Sequence, residues 1–218
     1  MIATLFNPTV IAECCTLLAA IFLLKKNSGR WQLFIPVLLV TIIAETLGWA
    51  WTYLFHKRGN GWIFNINLLM TSAFYFWLLS FAGPLQQLKS RLLTCVAIFF
   101  LFASLNALFG QGFTAYQTYT DIFAELMLIV TGFYFFYKVL TEEIYRNVFR
   151  YEYFWLVNGL LLYALGGVVL YAFYEVIVAY DKLHKVHLYG LINYIINGIF
   201  YGSLIIAFVC RNKTQELS

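Results

Sequence analysis

The sequence predicts an all-α integral membrane protein with seven transmembrane helices. Three observations lead to this prediction: 62% of the 218 residues are hydrophobic, only 11% are charged, and the apolar residues form long continuous runs. A soluble domain is about half apolar and about a quarter charged, so this composition excludes that class. The 14 basic residues are too few and too scattered for a nucleic-acid surface, and we expect no nucleic-acid partner.

Each predicted span is an apolar run long enough to cross a bilayer core, which takes about 20 helical residues. Polar segments such as KKNSGR at 25–30 and HKRGNG at 56–61 separate the runs. The predicted spans lie at about 8–24, 33–55, 62–82, 91–109, 119–138, 153–177 and 187–210. The connections between them are too short for a further domain, so we expect a single seven-helix membrane domain over residues 1–218.

The basic residues predict the orientation of the chain, because loops that face the cytoplasm are enriched in Lys and Arg. If the N-terminus lies outside, ten basic residues fall on the cytoplasmic side and four on the outer side. We therefore predict an N-out, C-in topology in the plasma membrane, that is, the cytoplasmic or inner membrane. The lipid bilayer is the first expected partner.

The two halves of the chain resemble each other. Helix 1 aligns with helix 5 at an offset of 112 residues, which pairs Glu13 with Glu125. Helix 2 aligns with helix 6 at an offset of 118, and helix 3 with helix 7 at 126, which pairs Asn67 with Asn193. Helices four spans apart have the same orientation in the membrane, so this pattern predicts a parallel 3+1+3 repeat. Its parts are repeat A at 8–82, a linker helix at 91–109 and repeat B at 119–210.

This layout resembles the SWEET sugar transporters and the wider PQ-loop superfamily. In that family an asparagine on the third helix of each repeat faces the central substrate, and Asn67 and Asn193 fall on the matching positions here. The resemblance implies a transporter with its substrate site between the repeats. The proline-glutamine pair that names the PQ-loop group is absent, since Val37 follows the intramembrane Pro36, so the sugar specificity of the family is not carried over.

Polar residues within the spans predict the position of a ligand site, because such residues are costly in lipid and usually face the bundle interior or a wet cavity. They gather toward the outer half of the helices. Thr71 lies one turn from Asn67, and Asn197 lies one turn from Asn193, so each pair shares a helix face. The predicted substrate-binding residues are Asn67, Thr71, Asn193, Asn197, Glu45, Glu13, Glu125 and Trp49.

Two members of this set have special expected roles. Glu45 lies near the middle of helix 2, where a protonatable carboxyl suits proton coupling. Trp49 lies one turn farther along and could form an apolar wall for a ring-shaped ligand. The alternative for all of these residues is interhelical hydrogen bonding or packing, at about 0.6 kcal/mol per hydrogen bond.

The main functional prediction is a small-solute transporter or facilitator with a small polar ligand, no cofactor, no metal and no catalytic residue. The first alternative is an outer-face sensory or accessory protein that binds a ligand and acts through a signalling partner or as a homo-oligomer, because the cytoplasmic loops are too short for an output domain. The second is an outer-face metal-dependent membrane hydrolase, with His56, His184 and His187 in the outer loops as metal ligands.

Overall fold

The computed structural model describes residues 7–24, 29–53, 59–141 and 147–216. Within these ranges all regular secondary structure is helical. The eight α-helices are α1 Pro8–Leu23, α2 Phe34–Tyr53, α3 Gly61–Leu79, α4 Lys89–Phe109, α5 Thr118–Thr141, α6 Glu152–Ala172, α7 Tyr174–His184 and α8 Leu188–Glu216. Short 3-10 turns at Gly29–Leu33, Gly83–Leu88 and Val148–Arg150 precede α2, α4 and α6.

Six of the described helices, α2 to α6 and α8, are long and apolar enough to cross a membrane. Helix α1 is apolar but shorter. Its 16 residues span about 24 Å at 1.5 Å per residue. Its start is fixed by Asn7, whose side chain accepts a hydrogen bond of 3.1 Å from the Thr9 N–H, and by Pro8 in the first turn. The described fold is all-helical, as predicted, and its six candidate spans are consistent with a membrane protein. The remaining predicted span corresponds to the shorter helix α1 and stays a prediction.

The predicted sixth span, 153–177, is too long. Helix α6 ends at Ala172, and the Phe173 N–H bonds back to the Val169 carbonyl at 3.1 Å. Helix α7 then begins at Tyr174 and occupies most of the region predicted to be a loop. It carries charged residues such as Glu175 and Lys182 and buries none of its side chains, so it does not extend the apolar span.

Helices α1 to α6 form most of a ring, in which each packs against the next helix in the chain. Helix α8 closes the ring by packing against both α6 and α1, and α3 also approaches α5. The contact between α6 and α8 is the most extensive. It is close because Gly159 faces Ser203, where an added Cβ would lie 2.7 Å from the serine Cβ. Small residues allow helix backbones to approach in this way.

The bundle is solid at the end where α8 finishes, which we call the C-terminal end. Phe34 packs edge-on to Phe208 with ring centroids 5.0 Å apart, and Trp31 packs against Tyr153 at 5.2 Å. Trp31, Phe34 and Phe208 are almost completely buried. The opposite end, where α1, α3, α5 and α8 begin, is the N-terminal end of the bundle. These aromatic side chains therefore fill the C-terminal end of the described bundle.

The start of α8 is held by a carboxylate of α7. Asp181 accepts hydrogen bonds from the N–H groups of Leu188 at 2.8 Å and Tyr189 at 3.2 Å. We expect Asp181→Ala to lower the free energy of unfolding by about 1 kcal/mol, the usual cost of removing such a cap. The unfolding midpoint in detergent measures this loss, with Lys182→Ala as the exposed control. Equal midpoints for the two variants would contradict the assigned role of Asp181.

Candidate functional site

A cavity of about 550 Å³ lies in the N-terminal half of the bundle. Helices α1, α2, α3, α5, α6 and α8 line it, together with Tyr116 from the segment before α5, and no described residue of α4 does so. Cavities that bind small molecules have volumes of about 300–1,000 Å³. This cavity is therefore large enough for a small solute.

The structure brings together most of the residues that the sequence singled out. Seven of the eight predicted substrate-binding residues line the cavity: Asn67, Thr71, Asn193, Asn197, Glu45, Glu13 and Glu125. Trp49 is partly buried but is not among the lining residues. The neighbouring residue Gly48 of α2 lies directly against the ring of Phe64. Phe64, and not Trp49, is the aromatic residue that lines the cavity here. The binding role of these residues stays a prediction.

Glu13 presents a buried carboxylate to the cavity. Only 1% of the surface of Glu13 is exposed. The Tyr201 hydroxyl donates a hydrogen bond of 2.9 Å to Oε1, and this bond joins α1 to α8. Oε2 has no hydrogen-bond partner within the described structure. One oxygen thus fixes the orientation of the carboxylate while the other can accept from a ligand.

A second acidic group lies on α5, across the ring from α1. Asp121 accepts hydrogen bonds from the hydroxyls of Tyr116 and Tyr171, the latter at 2.5 Å. Glu125, one turn farther along the same face, is 3% exposed, and its Oε2 has no partner among the described residues. Its carboxylate lies against Gly167 of α6, where an added Cβ would overlap Oε1. A glycine at 167 therefore makes room for this carboxylate.

The amide and hydroxyl groups of the cavity bond mainly within their own helices. The Thr71 hydroxyl donates to the Asn67 carbonyl at 2.8 Å, and the Asn197 amide donates to Asn193 Oδ1 at 3.1 Å. Between helices, the Thr41 hydroxyl donates to Asn67 Oδ1 at 3.3 Å. The bond from Thr41 thus joins Asn67 of α3 to α2, whereas the described bonds of Thr71, Asn193 and Asn197 stay within their own helices.

Several lining residues were missed by the sequence analysis. Asp121 could have been found, because it precedes Glu125 by four residues and so shares its helix face. Tyr201 and Tyr75 are also lining residues, and they occupy matching positions at the offset of 126. For Gly167, no signal in the sequence distinguishes it from the neighbouring Gly166, because its role depends on a contact with another helix.

The cavity wall contains acidic side chains but no basic side chain among its described residues. Four carboxylates line the cavity, and none of the described lining residues is Lys, Arg or His. In the part of the chain that the structure describes, no group of three or more His, Cys, Asp or Glu could hold a metal ion. His184 ends α7, where its ring stacks on Tyr180 at 4.1 Å, and His187 is exposed. His56 lies outside the described residues.

Comparison of this chain with protein-family models, with curated proteins and with solved structures finds no match. The chemistry of the cavity is therefore the basis for assigning a function.

Proposed function

We propose that the chain is a small-solute transporter or facilitator of the plasma membrane, and that its substrate enters the cavity from the outer face. The observation that carries this proposal is the composition of the cavity wall. Glu13 and Glu125, which the predicted repeat pairs, line one cavity, and so do Asn67 and Asn193. Transporters built from parallel repeats bind their substrates at the interface between the repeats.

The arrangement of the helices supports the 3+1+3 repeat as part of this proposal. The six helices that line the cavity are those assigned to repeats A and B, whereas α4 is the proposed linker. Glu45 and Tyr163 also match at the offset of 118, and both line the cavity. The proposed likeness to SWEET and PQ-loop proteins consists of this 3+1+3 arrangement and of the paired Asn67 and Asn193. With the N-terminus outside, the cavity lies on the outer side.

Transport also requires a floor that can open toward the other side. The rings of three lining residues pack together, with the Phe200 centroid 5.9 Å from Tyr75 of α3 and 5.2 Å from Tyr163 of α6, and we assign them as the floor of the cavity. These contacts join side chains from both proposed repeats. A movement of one repeat against the other would separate these rings and would also act on the hydrogen bond between Tyr201 of α8 and Glu13 of α1.

Counterflow in proteoliposomes tests this function. The probes are labelled glucose, glycine and choline, which are neutral, zwitterionic and cationic. We expect exchange of at least one probe by the wild-type protein and its loss in Asn67→Ala and Asn193→Ala, because the polar contacts of both repeats are needed. The matched control is Asn158→Ala, since Asn158 is on α6 but outside the lining. Equal exchange by all four proteins would contradict the proposal.

A second candidate function is an outer-face sensor that binds a solute and acts through a partner. The observation that favours it is the packed C-terminal half, in which Trp31, Phe34 and Phe208 fill the space beneath the cavity. A sensor would bind one of the probes without exchanging it and would co-purify with a signalling protein. The hydrolase alternative has no comparable observation in its favour.

A further inference from the structure

We propose that the cavity selects an organic cation, that is, an amine or a quaternary ammonium compound. This inference rests on the proposed function, because the same cavity receives the solute. Carboxylates face the cavity from three helices, with Glu13 on α1, Glu45 on α2, and Asp121 and Glu125 on α5. No basic side chain of the described lining neutralises them.

The unpartnered carboxylate oxygens of the cavity point to a ligand. Glu13 and Glu125 are 1% and 3% exposed, and Oε2 of each has no hydrogen-bond partner within the described residues. Leaving a buried acceptor unsatisfied is unfavourable, and leaving a buried charge unpaired is more so. A cationic group in the cavity would be attracted by these carboxylates, whereas an anionic solute would be repelled by them.

The rest of the wall favours an organic cation over a metal ion. The aromatic rings of Tyr75, Tyr163, Phe200 and Tyr201 lie at the deep end of the cavity. Aromatic faces attract alkylammonium groups through cation–π interactions, and aromatic cages are a recurring site for quaternary ammonium ligands. A bound Ca²⁺ takes six to eight oxygen ligands, but the described residues contain no group of three or more metal-binding side chains.

Charge-selective thiol modification tests this proposal with two probes of opposite charge. Thr71→Cys is introduced after Cys14, Cys15, Cys95 and Cys210 have been replaced by alanine. The trimethylammonium-ethyl and sulfonatoethyl methanethiosulfonate reagents are then added from outside. Relative to a free thiol, we expect the cationic reagent to be favoured at least about tenfold, as in clefts lined by charge of one sign. Choline should slow the reaction, whereas its uncharged carbon analogue 3,3-dimethylbutanol should not.

Variants of Glu13 and Glu125 test whether these carboxylates cause the preference for the cationic reagent. Glu13→Gln combined with Glu125→Gln should bring the reagent ratio close to that of a free thiol, and each single change should lower it by a smaller factor. Glu175→Gln removes an exposed charge on α7 and should leave the ratio unchanged. Size-exclusion chromatography checks that each variant is folded.

The outcomes separate the two proposals. A ratio without cation preference, or one that the double variant does not change, would overturn the cation proposal and leave a transporter of another solute class standing. If neither reagent reaches the cysteine from outside, the cavity is not open to the outer face, and both the proposed function and the cation proposal are overturned.

Discussion

Replacement of Asn65 by leucine is expected to lower the free energy of unfolding by about 3 kcal/mol, since three hydrogen bonds contribute about 1 kcal/mol each. Asn65 is 1% exposed at the start of α3. Its Nδ2 donates to the carbonyls of Phe113 and Ala115, both at 2.8 Å, and its Oδ1 accepts from the Gln117 N–H at 2.9 Å. Leucine fills a similar volume but can replace none of these bonds.

The side chain of Asn65 fixes the segment between α4 and α5, whose Tyr116 lines the cavity. The segment passes so close to Gly61 that an added Cβ would overlap the backbone of Ala115 and Tyr116. Tyr116 in turn donates its hydroxyl to the cavity carboxylate Asp121. Loss of the Asn65 bonds is therefore expected to loosen the contact between Tyr116 and Asp121 as well as to destabilise the fold.

The unfolding midpoint in detergent measures the loss for Asn65→Leu. Asn67→Leu is the matched control, because Asn67 lies two residues away and accepts one interhelical hydrogen bond, from Thr41. We expect the control to lose only about 1 kcal/mol of stability. It should nevertheless lose solute exchange, so its main effect is on transport, whereas the main effect of Asn65→Leu is on stability. Similar midpoints for the two variants would contradict the role assigned to Asn65.

Replacement of Gly167 by alanine is expected to weaken choline binding at least about tenfold, which corresponds to about 1.4 kcal/mol. The added methyl group would overlap Glu125 Oε1, so the carboxylate must turn away from its present position. The fold should persist, because a glutamate side chain is flexible at its end and alanine favours helix over glycine by about 1 kcal/mol. The change therefore affects the ligand site more than the stability of the protein.

Titration calorimetry with choline measures this effect in the purified protein. Gly198→Ala is the control, because an added Cβ at that position of α8 meets no atom within 4 Å. The control should bind choline like the wild-type protein and be slightly more stable. If Gly167→Ala binds choline as tightly as Gly198→Ala, the position of Glu125 does not matter for the ligand.

Most of the cavity wall could be predicted because few polar residues interrupt the apolar helices. A polar side chain in an apolar span has a strong reason to face the bundle interior, and a spacing of four residues identifies which others share its face. This reasoning predicts that Asn193, Asn197 and Glu125 face the bundle interior, and in the structure all three line the cavity. Extended to Asp121, it would have found the fourth acid.

The remaining features depend on contacts between distant segments, which a single sequence does not specify. Asn65 and Asn67 are the same residue type two positions apart, yet one bonds the segment before α5 and the other faces the cavity. The boundary between α6 and α7 was missed for a related reason. Composition alone cannot separate the end of an apolar span from an exposed helix that is held to α8 by Asp181.

The central claim is that both halves of the chain contribute to one ligand cavity that opens to the outer face. Modification of single cysteines at positions 67 and 193 by a membrane-impermeant thiol reagent, added from outside to the protein without its native cysteines, tests this claim most directly. We expect both Asn67→Cys and Asn193→Cys to react. Ser80→Cys, fully buried at the other end of α3, should not. Reaction at neither cavity position, or only when the reagent is supplied from the inside, would contradict the account.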